Sequence, residues 1–490
     1  MENSKIVRLL KTFTKPELNE LERFVSSPYF SRKRDCMPLL KSLRRFWPEF
    51  DERSSSKAVY EFAFSGKTYG DKRSVSMLST ISSELYKLAV EFLRYSEFEK
   101  EENQKKLLLL RSLRRKNLRN EFEKEFGKQL SDSSISHGSA PGFLESSRLN
   151  SIYSDYLWDR GDMPGLYETQ LISTSDAMAF ALITGFKFMD LQNTAKLMDI
   201  KTHSSFTDIV LDALDGEKML EAMQETKDSL YPYISANYYI YMMKKIPGES
   251  SYYNKLKQTL ESNIEKFGHT EKYMLYQAME THLVIELEHN SYNAEVAREL
   301  FELYRDELKL GIHKVSPEGY LEPTVYRNIF LTACDINEFE WAEEFINMYS
   351  RELPAEFAES MKNYSLARLY FIKKDFEKAL QKISGINYDY PLHKIDAKVL
   401  HFKICYELGR FEQAFNILDT AKHYLSATLD IPNVSKKRNN AFFKYAAEVL
   451  KQVTSKVKDK GSLLKKVERE EIIESRVWLI EKIQALKSEK

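Results

Sequence analysis

His282, Glu286 and His289 fall at spacings of four and three, on one helical face. Glu286-Leu-Glu-His289 has the i,i+3 form in which a carboxylate and an imidazole hold metal in di-iron bundles. Such a site needs a second copy on another helix, and none of the nine histidines supplies it. A partly exposed polar face is therefore expected, with no metal. Gly66-Lys67-Thr68 matches the end of a phosphate-binding loop, but position 61 is Glu where that loop needs Gly. No strand pattern precedes it, so a turn between helices is expected and no nucleotide. Arg160-Gly161-Asp162 reads as a turn. H-E-x-x-H, G-x-S-x-G and EF-hand patterns do not occur. The sequence thus points to no catalytic residue, no cofactor and no small-molecule substrate. An enzyme with dispersed catalytic residues is the third of three readings, behind a binding scaffold and a nucleic-acid-associated regulator.

The sharpest charge feature is Arg111, Arg114, Arg115, Lys116 and Arg119, with no acid between Glu102 and Glu121. A basic helical joint of this kind can grip RNA, DNA or an acidic partner, or can be a solvated ridge. Tyrosines crowd between Tyr231 and Tyr276, with Tyr238-Tyr239-Ile240-Tyr241 at the centre. Aromatic platforms can stack bases, but the acidic surroundings would repel phosphate. Packing between helices, with hydroxyls at the edge, is the better account.

These residues must be carried by helices. The 490 residues include only 16 Gly and 13 Pro, while 43% are hydrophobic and 30% charged. Few breakers and no sustained period-2 alternation argue for an all-α chain. The 73 basic and 73 acidic residues cancel. That balance argues against strong non-specific nucleic-acid binding by the whole chain, although it leaves room for a local basic face. Cys36, Cys334 and Cys405 lie far apart and form no C-x-x-C pair, so a reducing cytoplasm is the simplest setting. The N-terminus lacks the apolar run of a signal peptide, and no stretch approaches the ~20 apolar residues that span a bilayer.

Thr14-Lys15-Pro16-Glu17 carries a cap, a first-turn proline and the acid of a capping box. Further helices are expected over about 38–47 and 57–64, then from about Arg73 to Leu130 in two or three segments. Residues 1–130 form an N-terminal helical domain on this reading. The Ser- and Gly-rich stretch 131–142 is a linker or flexible loop. Residues 143–322 read as a divergent helix-hairpin array and 426–490 as C-terminal helices that cap it. In the last helix Ile473, Val477 and Ile480 are expected to share one apolar stripe. Phe64-x-Gly66-Lys67-x-Tyr69 and the helix after it resemble the N-terminal block of long all-helical bacterial proteins, a likeness that brings no activity with it.

The strongest organising signal lies in residues 323–425. Ala342, Ala379 and Ala414 each follow a short polar turn containing Phe: Asn337-Glu338-Phe339, Lys374-Asp375-Phe376 and Gly409-Arg410-Phe411. In the first two copies a proline, Pro354 or Pro391, closes the unit at the same distance. The alanines recur at 35 to 37 residues, a repeat length that signals stacked helix pairs. The span resembles tetratricopeptide repeats, most fully in Leu366, Ala367, Tyr370, Ala379 and Pro391. Small residues suit positions 367 and 379, where paired helices cross closely. The first copy departs at Phe330, and the third departs at Phe402 and lacks the closing proline.

The resemblance implies an α-solenoid whose first helices line a concave groove for a partner protein or peptide. Carried over by position, the groove candidates are Arg327, Asn328 and Leu331, then Tyr364, Arg368 and Phe371, then Lys403 and Tyr406. Arg327, Arg368 and Lys403 would place one cation per repeat on one wall. That suits a ligand with acidic side chains or a C-terminal carboxylate, unless these are solvated surface charges. Leu331 stands where carboxylate-clamp members carry Asn, so that clamp is not expected.

Overall fold

The computed structural model describes residues 4–31, 34–130, 138–197, 200–246, 248–289, 293–386, 391–428, 431, 433–455 and 462–488. Among them are 24 α-helices and no strand. The chain begins with α1 (Lys5–Leu10), α2 (Lys15–Ser26), α3 (Met37–Arg44), α4 (Ser56–Ala63) and α5 (Lys72–Lys100). Next come α6 (Glu102–Arg115), α7 (Arg119–Leu130), α8 (Ala140–Arg160) and α9 (Met163–Leu197). The middle holds α10 (Phe206–Ala213), α11 (Gly216–Glu225), α12 (Tyr231–Lys245), α13 (Ser251–Asn263), α14 (His269–His289) and α15 (Ala294–Leu310). The repeats are α16 (Pro323–Asp335), α17 (Phe339–Tyr349), α18 (Ala355–Ile372), α19 (Phe376–Ile383), α20 (Pro391–Glu407) and α21 (Phe411–Ala427). Finally come α22 (Asn433–Ser455), α23 (Ser462–Arg469) and α24 (Arg476–Ser488). Among the described residues, no helix is long and apolar enough to cross a membrane.

Local signals act as their chemistry requires. Thr14 and Glu17 close a reciprocal capping box at α2: the Glu17 carboxylate accepts from the Thr14 N–H at 2.6 Å, and Thr14 Oγ1 accepts from the Glu17 N–H at 3.4 Å.

The chain divides into two compact units, residues 1–135 with 141–178, and residues 136–140 with 179–490. The first unit has a core from α1–α5, centred on Leu21, Leu43, Phe50 and Leu85. A second core joins α6, α7 and α8 through stacked rings, Phe122 on Tyr156 at 4.1 Å and Phe126 on Tyr153 at 4.0 Å. The division falls within α9, whereas the composition marks 131–142. Of that segment, 131–137 lie outside the described residues. A polar stretch shows where chain is spared from packing, but not which flanking helices bury faces together. Here α8 returns to α6 and α7.

In the second unit the helices pack as sequential neighbours. Three-residue turns between paired helices force them antiparallel. Asn337, Lys374 and Gly409 adopt the left-handed conformation at equivalent places, with φ of 66°, 62° and 69°. Each is followed by a backbone N–H that reaches back five residues: Glu338 to Ala333 at 2.9 Å, Asp375 to Tyr370 at 2.8 Å and Arg410 to Cys405 at 2.8 Å. This double-bonded helix stop satisfies the last carbonyls of the first helix. The same stop recurs at Asn117, Gly161 and Lys227. The first two of these escape a search for the repeat because Phe122 and Leu166 occupy the place held by alanine in the recognisable copies.

Ala342, Ala379 and Ala414 are fully buried, as are Ala367, Phe330 and Phe402. The two phenylalanines that depart from the repeat pattern are therefore core residues. Because Ala379 sits at the packed α18/α19 crossing, Ala379→Leu is expected to destabilise by about 1–3 kcal/mol through overpacking. Urea unfolding measures it, and an unchanged midpoint would refute the close crossing.

One expectation fails at the C-terminus. Ile473, Val477 and Ile480 do not form the buried stripe. Val477 is 81% exposed, and Trp478, Leu479 and Ile483 are buried instead. Ser475 has φ 50°, so the helix starts afresh at Arg476 and the phase carried from Ile473 is lost.

Candidate functional site

The inner helices α16, α18 and α20 pack directly side by side, while α17, α19 and α21 meet chiefly the helices that flank them in sequence. Closer spacing on one side bends a stack toward that side. These first helices thus share one wall, and all eight groove candidates lie on them.

The structure brings these eight together but gives them unequal roles. Arg327 donates from Nε to the Asp396 carboxylate and from Nη1 to Asn328 Oδ1 at 3.1 Å. Tyr364 is buried, its phenol driven well above the usual range by desolvation. Lys403 is buried, donates to Ser475 Oγ at 3.3 Å, and lies over the rings of Phe371 at 4.9 Å and Trp478 at 5.7 Å. Tyr406 meets the Trp478 edge at 5.2 Å. The chain's own C-terminal segment therefore covers the α20 end of the wall. Asn328, Leu331, Arg368 and Phe371 remain half-buried. Arg368 is the least satisfied: Nη2 stands 4.0 Å from Asp335, and the buried Nε makes no hydrogen bond.

Repeat spacing missed three carboxylates. Asp335 and Asp396 sit on the inner helices, eight residues after Arg327 and seven before Lys403. Those intervals put each on the same helical face as its cation, so periodicity could have found them. Glu474 comes from the turn before α24 and interacts electrostatically with Arg327, Arg368 and Lys403. No repeat spacing reaches it. Three cations thus face three carboxylates, and the wall is close to neutral.

Burial pulls the Lys403 ammonium down to about 8, with Arg368 adding to the effect. Crowding by protein pushes Asp335 up and Arg368 pulls it back, although the Asp335 side chain is 55% exposed. Arg327 and Arg368 keep 27% and 26% of their side-chain exposure.

The other constellations resolve differently. In the basic cluster Arg114 is tied to Asp155 at 2.6 Å and Asp159 at 2.7 Å, while Arg111, Arg115, Lys116 and Arg119 are exposed. His282 stacks on Tyr253 at 5.6 Å, and burial lowers its pKa. The His289 side chain lies outside the described residues. Gly66-Lys67-Thr68 forms the turn between α4 and α5, with Gly66 at φ 85°. Tyr238, Tyr239 and Tyr241 are buried on α12, and the Tyr231 and Tyr239 hydroxyls meet at 3.5 Å. All three cysteines are free and buried.

Compared with known protein families, curated proteins and solved structures, the chain gives no match.

Proposed function

We propose that this chain is a non-enzymatic, cytoplasmic scaffold of tetratricopeptide-like repeats that holds a peptide segment of a partner protein on the wall of α16, α18 and α20. The observation that carries this reading is Arg368, a guanidinium on that wall whose buried Nε makes no hydrogen bond, with Asp335 4.0 Å away and Glu474 acting at longer range. A buried donor left unsatisfied costs free energy, and a ligand carboxylate or carbonyl would recover it. Around it Asn328, Leu331 and Phe371 supply an amide, an aliphatic and an aromatic contact, all half-buried. The acidic character expected of the ligand narrows to a contact at Arg368, because Arg327 and Lys403 are already engaged by the chain itself. The mechanism is shape plus a few polar anchors on preformed helices, without covalent chemistry.

The test is affinity capture from native extract with the full chain and two surface variants. Arg368→Glu combined with Leu331→Arg should lower recovery of specific partners at least about tenfold, the loss of one charge-assisted bond. Neutralising Arg111, Arg115, Lys116 and Arg119 should leave recovery intact. The reverse pattern would favour a nucleic-acid-associated regulator, a reading supported by the exposure of those four cations. In that case binding to RNA or DNA should weaken steeply with added salt.

A further inference from the structure

Away from the wall, α14 and α15 bury two carboxyl groups against each other. Glu280 is 4% exposed and Glu307 fully buried. Gln277 Nε2 donates to Glu280 at 2.7 Å and approaches Glu307 at 3.5 Å. The two carboxyl groups are themselves within hydrogen-bonding reach. Glu280 Oε1 and Glu307 Oε2 are buried without hydrogen-bond partners. Two carboxylates cannot hydrogen-bond each other unless one carries a proton, and two buried negative charges at contact would be strongly unfavourable. Among the described residues no cation acts on them: the pair feels chiefly burial, each other and Gln277. The charged groups around it are Glu261 on α13, Asp306 on α15, and Glu322 and Arg327 at α16. They act on Tyr273, Tyr276 and Tyr304, the phenols beside the pair. Among the described residues α12, which also packs on α14, contributes no charged group to the pair.

We propose that Glu280 and Glu307 form a proton-sharing pair that locks the α14/α15 hairpin while the proton is held and loosens it when the proton leaves. The sign follows from linkage. Burial pushes Glu307 up to about 7 from an ordinary value of 4.5, and Glu280 is raised as well. The folded state therefore binds more protons than the unfolded chain across that window. Stability supplied by the pair is present at low pH and declines as pH rises from 4.5 through 7.

The experiment is an infrared pH titration of the full chain, followed by hydrogen exchange at pH 6 and pH 8.5, corrected for intrinsic exchange rates. The protonated carboxyl band should be present at pH 6 and lose intensity by pH 8.5 as Glu307 gives up its proton, with faster exchange in α14 and α15 over the same interval. Glu307→Gln and Glu280→Gln should each remove that change. Relative to wild type, the Glu307→Gln folding equilibrium should gain on the order of a hundredfold between pH 4.5 and pH 8. The wild-type titration decides the matter even if neither variant folds. Absence of a protonated carboxyl at pH 6, a band of undiminished intensity with unchanged exchange at pH 8.5, or a transition that survives in both variants would each overturn the proposal.

Discussion

Trp478→Ala is expected to destabilise the second unit by about 3–5 kcal/mol, the range for emptying a large aromatic site in a core. Trp478 is buried between Phe402, Tyr406 and Phe442, with ring centroids 5.2–6.2 Å away. Its indole N–H donates to Glu407 at 2.7 Å, and Lys482 pairs with that same carboxylate at 2.7 Å. One side chain thus anchors α24 by ring packing and by a polar contact. Its loss should also uncover Lys403, whose ammonium lies over the same ring. The Lys403 pKa should then climb from about 8 toward its ordinary value as water returns. Urea unfolding followed by circular dichroism measures the first effect. The pH dependence of amine acylation at Lys403, read by mass spectrometry, measures the second. A variant that loses less than about 1 kcal/mol would show that α24 rides on the surface and does not cap the stack.

The second large effect belongs to Asp396. Asp396→Ala is expected to cost about 2–3 kcal/mol, because it strands the Arg327 guanidinium with Asn328 as its remaining hydrogen-bond partner. The residual exposure of Arg327 lets water offset part of the loss, which keeps the figure below that of a fully dry ion pair. Arg327→Met in the same chain should recover most of the stability, since removing both charges removes the uncompensated one. A double-mutant cycle in urea measures the coupling. If Asp396→Ala alone changed stability by less than about 0.5 kcal/mol, the pair would be no more than a solvated surface contact.

Much of the architecture was legible before any coordinates. Scarce glycine and proline with helical spacing gave all-helix. Thr14 to Glu17 marked a real cap. The three alanines marked three real crossings, since only a small side chain permits that approach. What spacing could not resolve was sameness of shape under difference of sequence. Asn117 and Gly161 build the same helix stop as Gly409, but Phe122 and Leu166 conceal it. In the site, spacing found the cations of the wall and missed their carboxylates. Asp335 and Asp396 were within reach of a helical-face argument, because periodicity fixes which residues of one helix look the same way. Glu474, Ser475 and Trp478 were not, because they reach the wall from some seventy residues beyond Lys403.

Sequence by itself therefore determined that this protein is all-helical and that its repeats are helix pairs packed as neighbours, because helical period and close-crossing alanines are local properties. Only the tertiary structure decided which inner residues stay wetted, which are neutralised by distant acids, and where two glutamates meet in the dark of α14 and α15. Those outcomes depend on burial and on charge at contact, quantities that arise only when segments far apart in the chain come together.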